Sequence, residues 1–186
     1  MAVVVFDTSV LLLAIHPDAS PPSDPETQKP LEHAKQRVDY LIRRLHKGRT
    51  KVVIPSPALS ELLVHAGTAV NGYVQKLQQT PFNVASFDTR AAIECAEAVR
   101  KYGLKGKGQN NPRAKIKFDR QIVAIAQVAG ADTIYSDDAD IFSYGKLAGI
   151  KVIRSYELEL DPEERQHKLD LEMVMQEPEA AENSES

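Results

Sequence analysis

Residues 117–141 read KFDRQIVAIAQVAGADTIYSDDADI, and three kinds of local order follow one another within them. On a helical wheel counted from Ile116, the residues Phe118, Ile122, Ile125, Ala126 and Ala129 share one apolar arc. That spacing predicts a helix over 114–129, which Gly130 ends. Thr133, Ile134 and Tyr135 then form a short apolar run suited to a strand. Asp137 and Asp138 follow it after Ser136, and a second short helix is predicted over 140–148 before a last strand at Lys151-Val152-Ile153. Helix, strand, helix and strand in alternation imply a parallel sheet covered by helices.

The same alternation extends upstream. Residues 2–6 (AVVVF) form a continuous β-branched run, as expected of a strand buried on both faces, and Asp7 closes it. Ser9 onward opens a helix. Five prolines between His16 and Pro30 predict a loop. Leu31, Ala34, Val38, Leu41, Ile42 and Leu45 then repeat at helical spacing until Gly48. Val52-Val53-Ile54 is the next strand. Ser56 and Pro57 predict an N-cap and first turn for a helix carrying Leu59, Glu61, Leu62, Leu63 and Ala66. A strand is predicted over 82–85, followed by a helix capped by Asp88 that runs to about Tyr102. The glycine-rich stretch 103–112 is a loop. The fold class expected is therefore α/β, one domain over 1–160 with a central parallel sheet flanked by helices. Beyond it, 161–186 forms an acidic C-terminal tail: from Glu157 onward, eleven acidic residues stand against two basic ones. A short helix over 164–175 and a disordered last ten residues are expected there.

Bulk properties narrow the function classes. A net charge of −3 over 186 residues produces no global field for nucleic acid, so such contacts must be local. The single cysteine, Cys95, cannot form an internal disulfide and reads as a small buried hydrophobe. No apolar run approaches the ~20 residues that span a bilayer. The apolar N-terminus lacks a basic leader and carries Asp7, unlike a signal peptide. The expectation is a cytoplasmic protein with no membrane partner.

The chemistry lies in the carboxylates. In open parallel sheets, sites form beyond the carboxyl ends of the strands. Asp7 and the Asp137-Asp138 pair follow the ends of two strands, the pair with Ser136 between, although a helix cap or Asx turn explains either one alone. Asp119 falls inside the apolar arc of its helix, where a bare charge is costly without an ion-pair partner or a metal. Glu61 lies off the apolar arc of its own helix. Crowded carboxylates raise one another's pKa, and a hard divalent cation relieves this. Oxygen-only ligation suits Mg²⁺ or Mn²⁺. None of the five histidines sits in a zinc-type cluster, and His65, one turn beyond Glu61, reads as either a supporting or a surface residue. Such a metal can activate water against a phosphodiester. An aspartyl-phosphate phosphatase would need Asp-x-Asp after the first strand, and Asp7-Thr8-Ser9 lacks the second acid.

The segments VVVFDTSVLL, VVIPSPALSELL, FDTRAAIECAEAVRKYG, KFDRQIVAIAQVAGADTIYSDDADI and GIKVIRSYEL, in this order, resemble the PIN-domain family, especially its VapC-type toxin ribonucleases. The resemblance spans 2–160. It implies an endoribonuclease that hydrolyses RNA phosphodiester bonds, with Asp7, Glu61, Asp119 and Asp138 as catalytic and metal-holding acids. It adds Asp140 as a fifth ligand and Ser9, Ser136 and Asp137 as supporting residues. Toxin-type relatives dimerise and pair with an antitoxin protein, so a homodimer and a cognate antitoxin are implied in the same way. The proline-rich loop, the glycine- and lysine-rich loop and the acidic tail depart from the pattern. The rival reading is a PIN-like scaffold that binds RNA or protein without cutting.

Between Arg100 and Arg120 stand eight basic residues and one acid, Asp119. Lys105, Lys107, Arg113, Lys115, Lys117 and Arg120 are the expected contacts to a phosphate backbone, against the plainer reading of a solvated loop. Base stacking is not expected of this run.

Overall fold

The computed structural model describes residues 1–103 and 113–163, the side chains of 113–117 excepted. Strands β1 (Val3–Phe6), β2 (Lys51–Pro55), β3 (Asn83–Ala85), β4 (Thr133–Tyr135) and β5 (Lys151–Ile153) form one sheet. All its pairings are parallel and its order is β3-β2-β1-β4-β5. The helices are α1 (Thr8–Ile15), α2 (Ala34–Lys47), α3 (Ser56–Ala66), α4 (Val70–Gln78), α5 (Thr89–Tyr102), α6 (Arg113–Val128) and α7 (Ala139–Leu147). Strand order reverses at β1: the chain leaves it toward β2 and later returns to its other side as β4. Open α/β sheets form their clefts at such a switch point.

The central strands need no polar face, because helices cover both sides of the sheet. Val5, Phe6, Ile54 and Ile134 are fully buried, together with Leu11 of α1, Leu62 of α3, Ile122 and Ile125 of α6, and Ile141 of α7. The Phe6 ring meets Phe82 and Tyr135 edge-on at 5.7 and 5.5 Å between centroids, a preferred geometry for aromatic pairs.

Several local expectations change. Helix α2 begins at Ala34, not at Leu31, because His33 adopts a left-handed φ of 57°. Leu31 is buried as a loop anchor, its amide bonded to the Pro22 carbonyl. Ser56 does not cap α3. It is already helical, Pro55 occupies the cap position, and the Ser56 hydroxyl instead accepts the Phe87 amide at 3.1 Å. Helix α4 was not expected; its buried Tyr73 and Leu77 stand four residues apart. After β5 a short turn leads to buried Leu158 and Leu160. Arg37 donates to the Leu158 carbonyl, and Arg43 and Arg44 pair with Asp161 and Glu159. The expected tail helix and the last ten residues lie outside the described residues. Among those described, no helix is long and apolar enough to cross a membrane.

Gly145 tests the packing of α7 on the sheet. A Cβ there would stand 2.4 Å from Val152 Cγ2 on β5, well inside van der Waals contact. Gly145→Ala should therefore lower the urea midpoint, by about 1–3 kcal/mol of stability. Val152→Ala in the same protein should return part of that loss, whereas an unchanged midpoint in the single variant would mean that α7 packs loosely.

Candidate active site

The register fixes the site's floor. Phe6 pairs with Tyr135 across β1 and β4, so Asp7 and Ser136 are the next residues on adjacent strands. The Ser136 hydroxyl donates to Asp7 Oδ2 at 2.8 Å, and Ser9, the second residue of α1, donates to the same oxygen at 3.2 Å. Ser136 Oγ also accepts the Asp138 amide at 3.1 Å, which ties the two acidic turns together. Asp7 is only 4% exposed. Burial pushes its carboxyl up to about 6, and the charges of Asp138 and Glu61 add to the rise, against the Ser136 hydroxyl and the Thr8 amide.

Asp138 caps α7, accepting the Asp140 and Ile141 amides at 2.6 and 3.3 Å. Its carboxylate, that of Asp119 on α6 and that of Asp140 each offer an oxygen within 4.8 Å of the others. Asp119 and Asp140 are buried. Helix α6 delivers Asp119 on the face that packs against the sheet, as its place in the apolar arc predicts. Glu61 reaches the site from α3, where the Thr8 hydroxyl donates to its Oε2 at 2.7 Å. Asp7, Glu61, Asp119, Asp137 and Asp138 thus line one cleft of about 670 Å³, and Asp140 sits behind it.

Not every expected residue takes part in the same way. Both Asp137 oxygens are engaged by Ser155, at 2.8 Å from its amide and 2.6 Å from its hydroxyl. Asp137 therefore holds the turn after β5, while its own amide donates to Ser9 Oγ at 3.1 Å. His65 is exposed on the cleft rim. Arg120 does not reach a phosphate path beside the acids. Its side chain folds inward, 4% exposed, with the guanidinium 4.2 Å over the Tyr144 ring and bonded to the Gly103 carbonyl. A long arginine stem on a packed helix face permits this inward turn. Lys105 and Lys107, and the side chains of Arg113, Lys115 and Lys117, lie outside the described residues. Cys95 is half-buried on α5, and burial pushes its thiol up, which agrees with an inert role.

Residues absent from the expectation also contribute. Thr8 orients Glu61, and only its position beside Asp7 hinted at this. Phe118 was assigned to the apolar arc, yet the residue is 50% exposed and lines the acidic cleft. Val64, 76% exposed, lines the cleft from α3, with Leu12 and Pro57.

Comparison with known proteins bears on the family and the fold. The family model of the PIN domain matches residues 4–147. Among solved structures, VapBC2 from Rickettsia felis bound to a promoter DNA fragment contains a chain of similar fold. That chain is 15% identical with a TM-score of 0.55, over 82% of this chain and 98% of that one. A chain of DNA-bound VapBC from Salmonella typhimurium is 17% identical with a TM-score of 0.50, over 83% of this chain and 99% of that one. At these identities the likeness is one of fold. No curated protein matches the sequence.

Proposed function

The chain belongs to the PIN domain family, and from that premise we propose that its acidic cleft hydrolyses RNA phosphodiester bonds as a metal-dependent endoribonuclease. The observation that carries this reading is the cluster of Asp119, Asp138 and Asp140 oxygens within 4.8 Å of one another, beside a buried Asp7. Carboxylates so crowded and so little hydrated repel one another. Their donor set is oxygen alone, which fits Mg²⁺ or Mn²⁺.

Asp119, Asp138 and Asp140 would hold the cation, with Asp7 and Glu61 completing the acidic wall. A cation bound there supplies charge to stabilise the phosphoryl oxygens and lowers the pKa of a water. The protein's own groups do the positioning. Ser136 holds Asp7 and the Asp138 turn in one arrangement, Thr8 keeps Glu61 turned toward the cleft, and Ser9 links Asp7 to the Asp137 amide. Asp137 supports the turn and is not a ligand in this reading.

The VapC-like pattern of the sequence, together with structural neighbours that come from VapBC complexes, supports a toxin role with a cognate antitoxin protein. A homodimer and a cytoplasmic location belong to the same reading. The basic run that leads into α6 would carry the RNA backbone, through Lys105, Lys107, Arg113, Lys115 and Lys117.

Purified protein incubated with a single-stranded RNA and Mn²⁺ should cleave it, and a chelator or Asp119→Asn should stop the reaction. RNA that is bound but stays intact in both Mn²⁺ and Mg²⁺ would leave a binding module instead. Neutralising the five basic residues of the run should weaken RNA binding and flatten its salt dependence. With about −0.7 per phosphate on single strands, loss of three contacts changes the log–log slope by roughly 2. A parental slope in that variant would route the RNA elsewhere.

A further inference from the structure

Phe118 is the residue before Asp119 on α6. It is half-exposed and lines the acidic cleft, while its neighbour carries a buried carboxylate into the cluster. Val64, more exposed still, lines the same cleft, with Leu12 and Pro57. Val64 lies three residues after Glu61 on α3, so the two share a face, one presenting charge and the other a methyl surface. The lining of the cleft therefore combines carboxylates with an aromatic ring and aliphatic surface. A phosphate alone has no use for the apolar part of that lining. A nucleotide does, because its base offers a flat π-face within a few ångströms of its phosphate, and a cleft of about 670 Å³ has the size of a small-ligand site.

We propose that Phe118, with Val64 lining the same cleft, is a stacking platform for a nucleobase adjacent to the scissile phosphate. The proposal rests on the ribonuclease reading above and deepens it. A base inside a duplex has both faces covered by its neighbours, so it cannot stack on the ring while its phosphate lies at the acids. Stacking on an aromatic side chain tolerates any base, so the platform does not read sequence. A protein partner seated on the same apolar lining is the competing occupant. The Phe118 ring next to Asp119 in the chain, within a cleft of nucleotide size, favours the base.

The chain contains no tryptophan, so Phe118→Trp provides a lone fluorescent reporter. In a chelator, a short single-stranded RNA should quench that fluorescence, and the same RNA annealed to its complement should not. Phe118→Ala should bind the single strand about 10- to 100-fold more weakly. In Mn²⁺ it should raise KM more than it lowers kcat, and Phe118→Tyr should restore both toward the parental values. The half-exposed position makes these substitutions compatible with folding. Parental affinity in Phe118→Ala, or an unquenched indole in a protein that still binds and cuts RNA, would overturn the platform and assign the apolar lining to a protein partner. A parental protein that neither binds nor cuts RNA overturns the ribonuclease reading itself, and the platform falls with it.

Discussion

Asp7→Asn, measured without metal at pH 7, should unfold at a higher temperature than the parental protein while losing RNA cleavage. The carboxyl is buried against β4, and its pKa rises from the ordinary 3.8 to about 6, chiefly through burial. The sign follows from proton binding. Below pH 3.8 the folded and unfolded chains both hold the proton, and Asp7 makes no difference. Between 3.8 and 6 the unfolded chain releases it first, so the folded state loses stability as pH rises. Above 6 the loss is complete, at about 3 kcal/mol for a shift of this size. Asn keeps the shape and can still accept from Ser136, but it carries no charge. Its stabilising effect should therefore be full at pH 7 and absent below about pH 4. For a chain of this length it corresponds to roughly 6–12 °C. Such a pairing of gain and loss marks a group kept for chemistry at a cost to the fold. A variant that unfolds at a lower temperature, or one that still cuts RNA, would make Asp7 a structural residue.

How far the sequence could be read depended on the range of the interactions involved. The strand-end acids were legible because β1 and β4 are short β-branched or aromatic runs, with Asp7 directly after the first and Asp137 and Asp138 after the second with only Ser136 between. Parallel topology then brings the two ends together, and the register of Phe6 with Tyr135 makes Asp7 and Ser136 neighbours. Asp119 was legible from periodicity, since a carboxylate on an apolar arc stands out. The same wheel misjudged Phe118. An angle says which way a residue faces but not whether another element covers it, and at this end of α6 the cleft opens beside the ring. Arg120 was misjudged for a related reason. A charge near a basic run suggests solvent, but its long stem lets the guanidinium return to Tyr144 on α7. The bond between Asp137 and Ser155 joins residues 18 positions apart, beyond any local pattern. Helix α4 is short and holds Gly72 among polar neighbours, so its propensity is weak; tertiary burial of Tyr73 and Leu77 holds it.

Adding Mn²⁺ or Mg²⁺ should stabilise the protein, and the pattern of variants that abolish this effect should separate Asp138 from its neighbour. A ligand that binds only the folded state stabilises by about 2.7 kcal/mol at one hundred times its Kd, or roughly 5–10 °C for a chain of this size. Asp119→Asn, Asp138→Asn and Asp140→Asn each remove a charge from the cluster whose oxygens lie within 4.8 Å, so each should erase most of the shift. Asp138→Asn keeps an amide oxygen that can still cap α7, which limits damage to the fold. Asp137→Asn serves as the internal control. Its carboxylate is occupied by the amide and hydroxyl of Ser155, and Asn can retain both contacts by accepting one and donating the other. That variant should keep the metal-induced shift. The effect should also shrink below pH 6, where Asp7 takes up its proton, because carboxylate ligation requires the ionised form. Equal loss of the shift in Asp137→Asn and Asp138→Asn, with both proteins folded, would mean that the cation sits between the two and not over the Asp119, Asp138 and Asp140 cluster. Indifference to millimolar Mn²⁺ and Mg²⁺ in the parental protein would remove the metal from the site altogether.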